Sequence, residues 1–525
     1  MLASHTSFRF NVSRLARSAP SALALSAGRR ACLARRPSIA CCSTVTPPPP
    51  EVPETAPMAE ERPEKRQRIA LAPATVESIG PTFRVPGLTV TDHVFRVPLD
   101  YSKSDGNTIK LFAREVKCSG RQDSKSLPYL LYLQGGPGME APRPTEASAW
   151  LKSAVNHFNV VLLDQRGTGR STPITTTNLK RMFEDPHKQA EYLVHFRADA
   201  IIQDCEQVRK AVVPSTNFSG KWSVLGQSFG GFCAVTYLSQ APEGLLEVLI
   251  TGGLPPGISS PCSAEEVYMV THKRVLAQNA KYYQRFPSDV ELVQRIVRYL
   301  KQQPGGGVTL PGGTLLTPRL LQTLGLSGLG SGGGFERLHY LLDSFFDAGT
   351  GEMTPSFAKG FEAYQSWDTN PLFALLHEPI YCQGAACGWA ADRVREQHYR
   401  EEFDPDALLA AGKPITFTGE CVYRFMYDDI AALRPYKAAA DALAAKADWG
   451  PLYDAAVLGS NRVPSAAVAY IEDMYVDYSA SMATAAAIKG LRVWSTSEYR
   501  HSGIRDDGAR IFDRLVGMAR NVIFD

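Results

Sequence analysis

The sequence predicts an α/β fold, in which a mainly parallel sheet is covered by helices on both faces and carries an inserted helical cap. Three observations lead there. Short apolar runs alternate with helical segments, the pattern of strands buried on both faces. Several of these runs stop at glycine-containing turns, as at Gly135-Gly136-Pro137-Gly138 and Gly226-Gln227-Ser228. Between about Ser260 and Leu443 the apolar spacing becomes helical, and the strand pattern returns only afterwards.

The elements follow in chain order. Residues 51–78 are polar and proline-rich and read as a disordered linker, with ordered patterning beginning near Phe83. Thr89–Pro98 and Thr108–Val116 read as strands separated by the turn signal Ser104-Asp105-Gly106-Asn107. Tyr129–Leu133, Asn159–Leu163 and Trp222–Gly226 are buried apolar runs, and Ala198–Val212 and Phe232–Gln240 have helical spacing. Leu246–Thr251 reads as a further strand, so that 79–259 form the first part of the core. The cap, 260–443, contains the helical patterns Glu291–Gln302, Arg319–Leu326 and Phe335–Phe346, interrupted by glycine clusters at 305–307 and 328–334. The second part of the core, 444–525, holds the strands Ala466–Ile471 and Leu491–Thr496 and a closing helix over Gly508–Arg520.

Composition narrows the function classes. Of 525 residues, 44% are hydrophobic and 21% charged, a soluble globular profile, and no apolar run reaches the roughly 20 residues that span a bilayer. The net charge of +3 is unevenly distributed: residues 1–50 hold seven Arg, eight Ser and no carboxylate, which leaves the rest at −4. A weakly acidic body has no electrostatic footprint for nucleic acid. The first fifty residues have the composition of an organellar transit peptide, and the Ser/Ala richness and the Ile39-Ala40-Cys41 junction point to the chloroplast, with mitochondrion or cytoplasm as alternatives. The ten cysteines form no CxxC pair; the spacing of Cys382 and Cys387 permits a disulfide without requiring one.

The chemistry centres on Gly226-Gln227-Ser228-Phe229-Gly230. A neutral serine hydroxyl is a weak nucleophile and needs a base beside it. This pentapeptide follows an apolar strand and precedes a helical segment, the setting of the nucleophile elbow of an α/β-hydrolase. Epoxide hydrolases and dehalogenases use an aspartate where this turn has Ser228. The chain order on that fold is Ser, acid, His. Of the five histidines after Ser228, only His501 follows the last predicted strand, where the base should sit. The acid should follow Ala466–Ile471, where Glu472, Asp473 and Asp477 all qualify; Asp473 is preferred and Asp477 second. Oxyanion donors are expected from the backbone N–H of Phe229 and from the Gln134–Gly138 loop, with Gly136 preferred and Gly135 the alternative.

Gln134-Gly-Gly-Pro-Gly138, Asp164-Gln-Arg-Gly-Thr-Gly-Arg-Ser171 and Gly226–Gly231 together resemble the proline iminopeptidase (prolyl aminopeptidase) family of α/β-hydrolases, in its longer members. The likeness extends through His377-Glu-Pro-Ile-Tyr381, Phe417-Thr-Gly-Glu420, Glu472-Asp-Met-Tyr-Val476 and His501-Ser-Gly503. The first motif usually begins with His, and Gln134 replaces it here as in the longer members. The resemblance implies release of N-terminal proline from peptides by a Ser228, Asp473, His501 triad, with no metal or organic cofactor. It also implies that cap carboxylates meet the substrate amine, Glu378 first and Glu420 second, although both could instead form ion pairs that stabilise the cap. Phe229, Tyr381 and Trp389 are candidates to line the proline pocket. The alternatives are an esterase or amidase on the same scaffold, or a non-catalytic ligand-binding protein.

Overall fold

The apolar runs become strands because both of their faces are covered. In the computed structural model the described residues are 73–524, apart from 104–105, 122–125, 259–262 and 365. The predicted presequence, residues 1–50, and residues 51–72 of the predicted linker lie outside them.

Ten strands make the main sheet: β1 (Thr75–Ile79), β2 (Phe83–Val85), β3 (Leu88–Pro98), β4 (Thr108–Cys118), β5 (Tyr129–Leu133), β6 (Asn159–Asp164), β7 (Trp222–Gln227), β8 (Leu245–Thr251), β11 (Ser465–Tyr470) and β12 (Leu491–Thr496). Within the cap, β9 (Val308–Thr309) and β10 (Leu315–Leu316) form a small antiparallel pair that the helical reading of that region did not include. The main order is β1-β3-β4-β6-β5-β7-β8-β11-β12, with β2 also on β3. From β6 to β12 every neighbouring pair is parallel, whereas β1 to β4 join antiparallel at one side.

Strand β1 corrects the linker: its last residues are part of the sheet, paired with Arg96–His93 of β3. All five β1 side chains are exposed, so it is held by backbone pairing and leaves no hydrophobic pattern in the sequence. The expected helix over Arg319–Leu326 is also corrected. It is two short helices, Pro318–Gln322 and Gly325–Gly328. Gly325 sits where a Cβ would meet the Thr418 carbonyl oxygen at 2.1 Å, so a neighbouring chain is packed against the break.

Two hydrophobic clusters share the sheet by alternation. Leu131, Leu133, Val161 and Leu163 face one cluster, which also takes in helices Ala198–Val212 and Phe229–Gln240 and the interior of the cap. Leu130, Tyr132, Val160 and Leu162 face the other, closed by helices Ala149–Ala154 and Gly508–Ala519. The cap helices run from Ala264–Arg285 to Lys437–Ala445. Among the described residues no helix is long and apolar enough to cross a membrane.

The register places the site. Gln227 is level with Thr251, Thr251 with Val468, and Tyr470 with Thr496. The carboxyl ends of β7, β8, β11 and β12 therefore lie side by side, and the loops that follow them meet at one edge, where open α/β sheets bind their ligands.

Candidate active site

Ser228 follows β7 directly and opens the helix Phe229–Gln240, with φ 55° and ψ −125°. A non-glycine residue is strained there, and such strain persists only where the surroundings enforce it. The surroundings are backbone. Ser228 N–H donates to Thr251 O at 3.0 Å, and Ser228 O accepts from Gly231 N–H at 2.7 Å. The glycines of the motif allow this approach: a Cβ on Gly226 would stand 2.3 Å from Gly230 O, and one on Gly230 would stand 2.0 Å from Leu133 O.

Two further glycines, absent from the sequence reading, complete the packing. Gly252 and Gly253 follow β8; a Cβ on Gly253 would meet Ser228 O at 2.3 Å, and one on Gly252 would lie 3.4 Å from His501 Nδ1. This pair thus lies between the serine and the histidine. Its only signal in the sequence is a Gly-Gly at a strand end.

His501 and Asp473 are brought together, with Nδ1 donating to Asp473 Oδ2 at 2.7 Å. Both are buried, at 5% and 1% exposure, so water competes little for the bond. The other carboxylate oxygen of Asp473 accepts from the backbone N–H of Tyr475 at 2.8 Å and of Val476 at 3.1 Å, which fixes its plane. The other two acid candidates are engaged elsewhere. Asp477 caps the helix Tyr478–Ala487 and pairs with Arg274 at 3.0 Å, whereas Glu472 is at the surface, 2.6 Å from Lys281. With Nδ1 committed to the carboxylate, the opposite ring nitrogen of His501 is the one left for proton transfer.

The glycine turn after β5 lies against the elbow. A Cβ on Gly135 would come within 2.9 Å of Ser228 Cβ, and Gly136 has φ +133°. The loop is held by Gln165, whose amide donates to Gln134 O at 3.0 Å. Gln165 belongs to the Asp164–Ser171 motif, and the buried charges of that motif serve as scaffold. Arg166, fully buried, makes a bidentate pair with Asp204 at 2.6 and 2.7 Å, and Asp164 takes both Arg143 and the backbone of Ala141 and Arg170. Phe229 N–H is at the first turn of its helix, where backbone donors lack helical partners.

The cap places the two carboxylate candidates differently. Glu378 is 4% exposed, and its two oxygens accept the N–H groups of Ala390 and Ala391 at 3.1 and 2.8 Å, at the start of helix Ala390–His398. Burial raises its pKa and these N–H bonds oppose the rise. The void that Glu378 shares with Trp389 and Cys387 is about 10 Å³, barely room for a water. Glu420 keeps 17% of its side chain exposed and lies 3.7 Å from His377 Nε2. Among the aromatic candidates, Phe229 leads through Phe232 to Tyr381, and Tyr381 packs on Tyr268 and His377. Those rings form a path from the elbow to His377. Trp389 turns away, donating to Asp441 at 2.9 Å. Cys382 and Cys387 are both buried free thiols, so the disulfide their spacing permits is not formed.

A strained serine between strand and helix, with an aspartate–histidine pair on the loops after β11 and β12, defines a serine hydrolase of the α/β-hydrolase class. The family model described as "alpha/beta hydrolase fold" matches residues 128–298. Over 437 residues the chain is 46% identical to the proline iminopeptidase of Aeromonas sobria, covering 83% of this chain and 97% of that one. It is 37% identical over 441 residues to a proline iminopeptidase of Aspergillus aculeatus, covering 82% and 93%. The chain belongs to the proline iminopeptidase family.

Proposed function

We propose that the chain is a serine aminopeptidase that releases N-terminal proline from peptides through a prolyl-enzyme intermediate. The observation that carries this reading is the buried Asp473–His501 bond beside the strained Ser228, in a chain of this family. In the reaction, Ser228 Oγ attacks the prolyl carbonyl carbon while His501 takes the hydroxyl proton. Asp473 holds the imidazole in its tautomer and stabilises the imidazolium. The developing oxyanion is met by Phe229 N–H and by an N–H of the Gly135–Gly136 turn. His501 then protonates the departing amine of the shortened peptide, and water hydrolyses the prolyl ester by the same steps in reverse roles.

A prolyl N-terminus carries a charged secondary amine, which calls for an acceptor of negative charge in a largely desolvated place. Glu420 is the better placed of the two candidates, since it retains exposed surface where both oxygens of Glu378 already hold a helix end. The apolar walls of the pocket come from Phe229, Phe232 and Tyr381. The Arg- and Ser-rich first fifty residues are proposed to direct the chain to the chloroplast.

The test is Ser228→Ala assayed on a proline arylamide and with a serine-directed fluorophosphonate. Both turnover and labelling should be lost; near-normal turnover in that variant would overturn the assignment.

A further inference from the structure

The loop that carries His501 is fastened to the cap at three consecutive residues. Arg500 Nη1 donates to Ser331 O at 3.2 Å, His501 N–H donates to Gly330 O at 3.2 Å, and Ser502 Oγ accepts from Gly332 N–H at 2.7 Å. All three cap partners lie in the glycine cluster 328–334. Ser502 Oγ in turn donates to Asp506 at 2.7 Å, which holds it in that orientation.

Tyr475 closes this arrangement from the side of the acid. Its backbone N–H donates to Asp473 Oδ1 at 2.8 Å. Its ring stands edge-on to the His501 imidazole, with centroids 4.7 Å apart and planes at 75°. Its hydroxyl donates to Leu326 O in the cap. The ring is seated against Gly330, where a Cβ would stand 2.2 Å from Tyr475 Cζ. That position tolerates no side chain while the ring is in place, which gives the bare glycine a physical reason. Burial raises the phenol's pKa first, and the negative charges of Glu420 and Asp473 add to this, so the ring also lies within the field of the proposed amine anchor.

We propose that Tyr475 is a positioning residue that locks the Asp473–His501 pair to the cap through Gly330, so that the seating of the cap governs the orientation of the base. The proposal rests on the triad reading above. Tyr475 itself makes and breaks no bond in the reaction. It acts by holding the acid through its N–H and the imidazole through its ring, and a displacement of about 1 Å in such a pair costs on the order of 100-fold in rate.

The experiment compares the full chain with Gly330→Ala, Tyr475→Leu, Tyr475→Phe and the Gly330→Ala/Tyr475→Leu double variant. It measures kcat and KM on a proline arylamide, the fluorophosphonate labelling rate and the thermal midpoint. Gly330→Ala and Tyr475→Leu should each lower kcat by about 100-fold with KM nearly unchanged, and slow labelling in parallel. Tyr475→Phe keeps the ring on the imidazole and should retain most of the rate. The double variant should be little worse than Tyr475→Leu, because the added methyl then has no ring to displace. Losses that multiply, or variants that shift the thermal midpoint while kcat and labelling stay at the wild-type level, would overturn the proposal. A wild-type chain that labels but ignores proline arylamides overturns the substrate reading and leaves labelling rates to decide this one; a wild-type chain that does not label overturns both.

Discussion

The loops at the carboxyl ends of the strands and the helical cap each supply parts of the candidate site, and they do so by different physics. At the strand ends the chemistry is made by backbone: Ser228 at φ 55°, glycines at 226, 230 and 253 packed against carbonyl oxygens, Gly252 against the Tyr470 ring, and an acid held by two N–H groups. In the cap it rests on carboxylates, with Glu378 buried and Glu420 partly exposed, in unlike surroundings. Backbone geometry tolerates little change and is written in short local patterns. Charge placement depends on which neighbours the fold brings near.

Asp473→Asn breaks the strand-end side with the largest expected effect. The amide presents the wrong hydrogen-bond pattern to Nδ1, so kcat should fall by about four orders of magnitude while the fold stays intact; steady-state kinetics with circular dichroism checks both. A fall of only a few-fold would mean that the pair at 2.7 Å is structural.

The cap side is sharpened by Glu420→Gln beside Glu378→Gln. Glu420→Gln should lower kcat/KM on free-amine substrates roughly 10- to 100-fold, mostly through KM, and leave a short acyl ester unaffected. Glu378→Gln should instead cost about 1–3 kcal/mol of stability in denaturant titration, because an amide NH₂ would then face the N–H groups at a helix start. The reverse pattern would exchange the two roles.

A smaller effect probes the interior of the cap. His272 is 2% exposed, donates through Nδ1 to Tyr268 O at 2.8 Å and stacks on Tyr399. Burial holds its pKa down at about 4 against an ordinary 6.5, with Arg395 adding to the depression. The unfolded chain therefore takes up a proton that the folded chain refuses, and stability is lost as pH falls from about 6.5 towards 4. The loss from this group is on the order of 3 kcal/mol. His272→Phe should flatten that part of the stability–pH curve, as read by urea midpoints at pH 7 and pH 4.5; an unchanged slope would remove His272 as its source.

The same contrast explains what the sequence disclosed. Strand β5 has the bounds its apolar run predicts because both of its faces are covered and burial writes directly into composition, and the helix Ala198–Val212 does so through its one buried face. Strand β12, at the sheet edge and only partly buried, also has its predicted bounds. Ser228 and His501 are legible because each follows a strand in a fixed order, whereas that order leaves Glu472, Asp473 and Asp477 as acid candidates. Strand β1 was illegible because its side chains are all exposed, and the β9–β10 pair because two residues are too short to show a period. Gly252 and Gly253 carry little signal for another reason: each matters for what packs against it across the chain, as does Tyr475, which the sequence marks only as part of the Glu472–Val476 motif. For the amine-binding carboxylate the resemblance ranks Glu378 ahead of Glu420, and only their neighbours distinguish a helix-end acceptor from a partly exposed charge.

The most direct test of the central claim is a comparison of kcat/KM for a proline arylamide, its N-blocked counterpart and arylamides of other amino acids, all on the wild-type chain. Efficient hydrolysis of the free proline compound, refusal of the blocked one and weak turnover of the others are expected. Equal or faster hydrolysis of the N-blocked compound would contradict it and make the chain an amidase with no use for the amine.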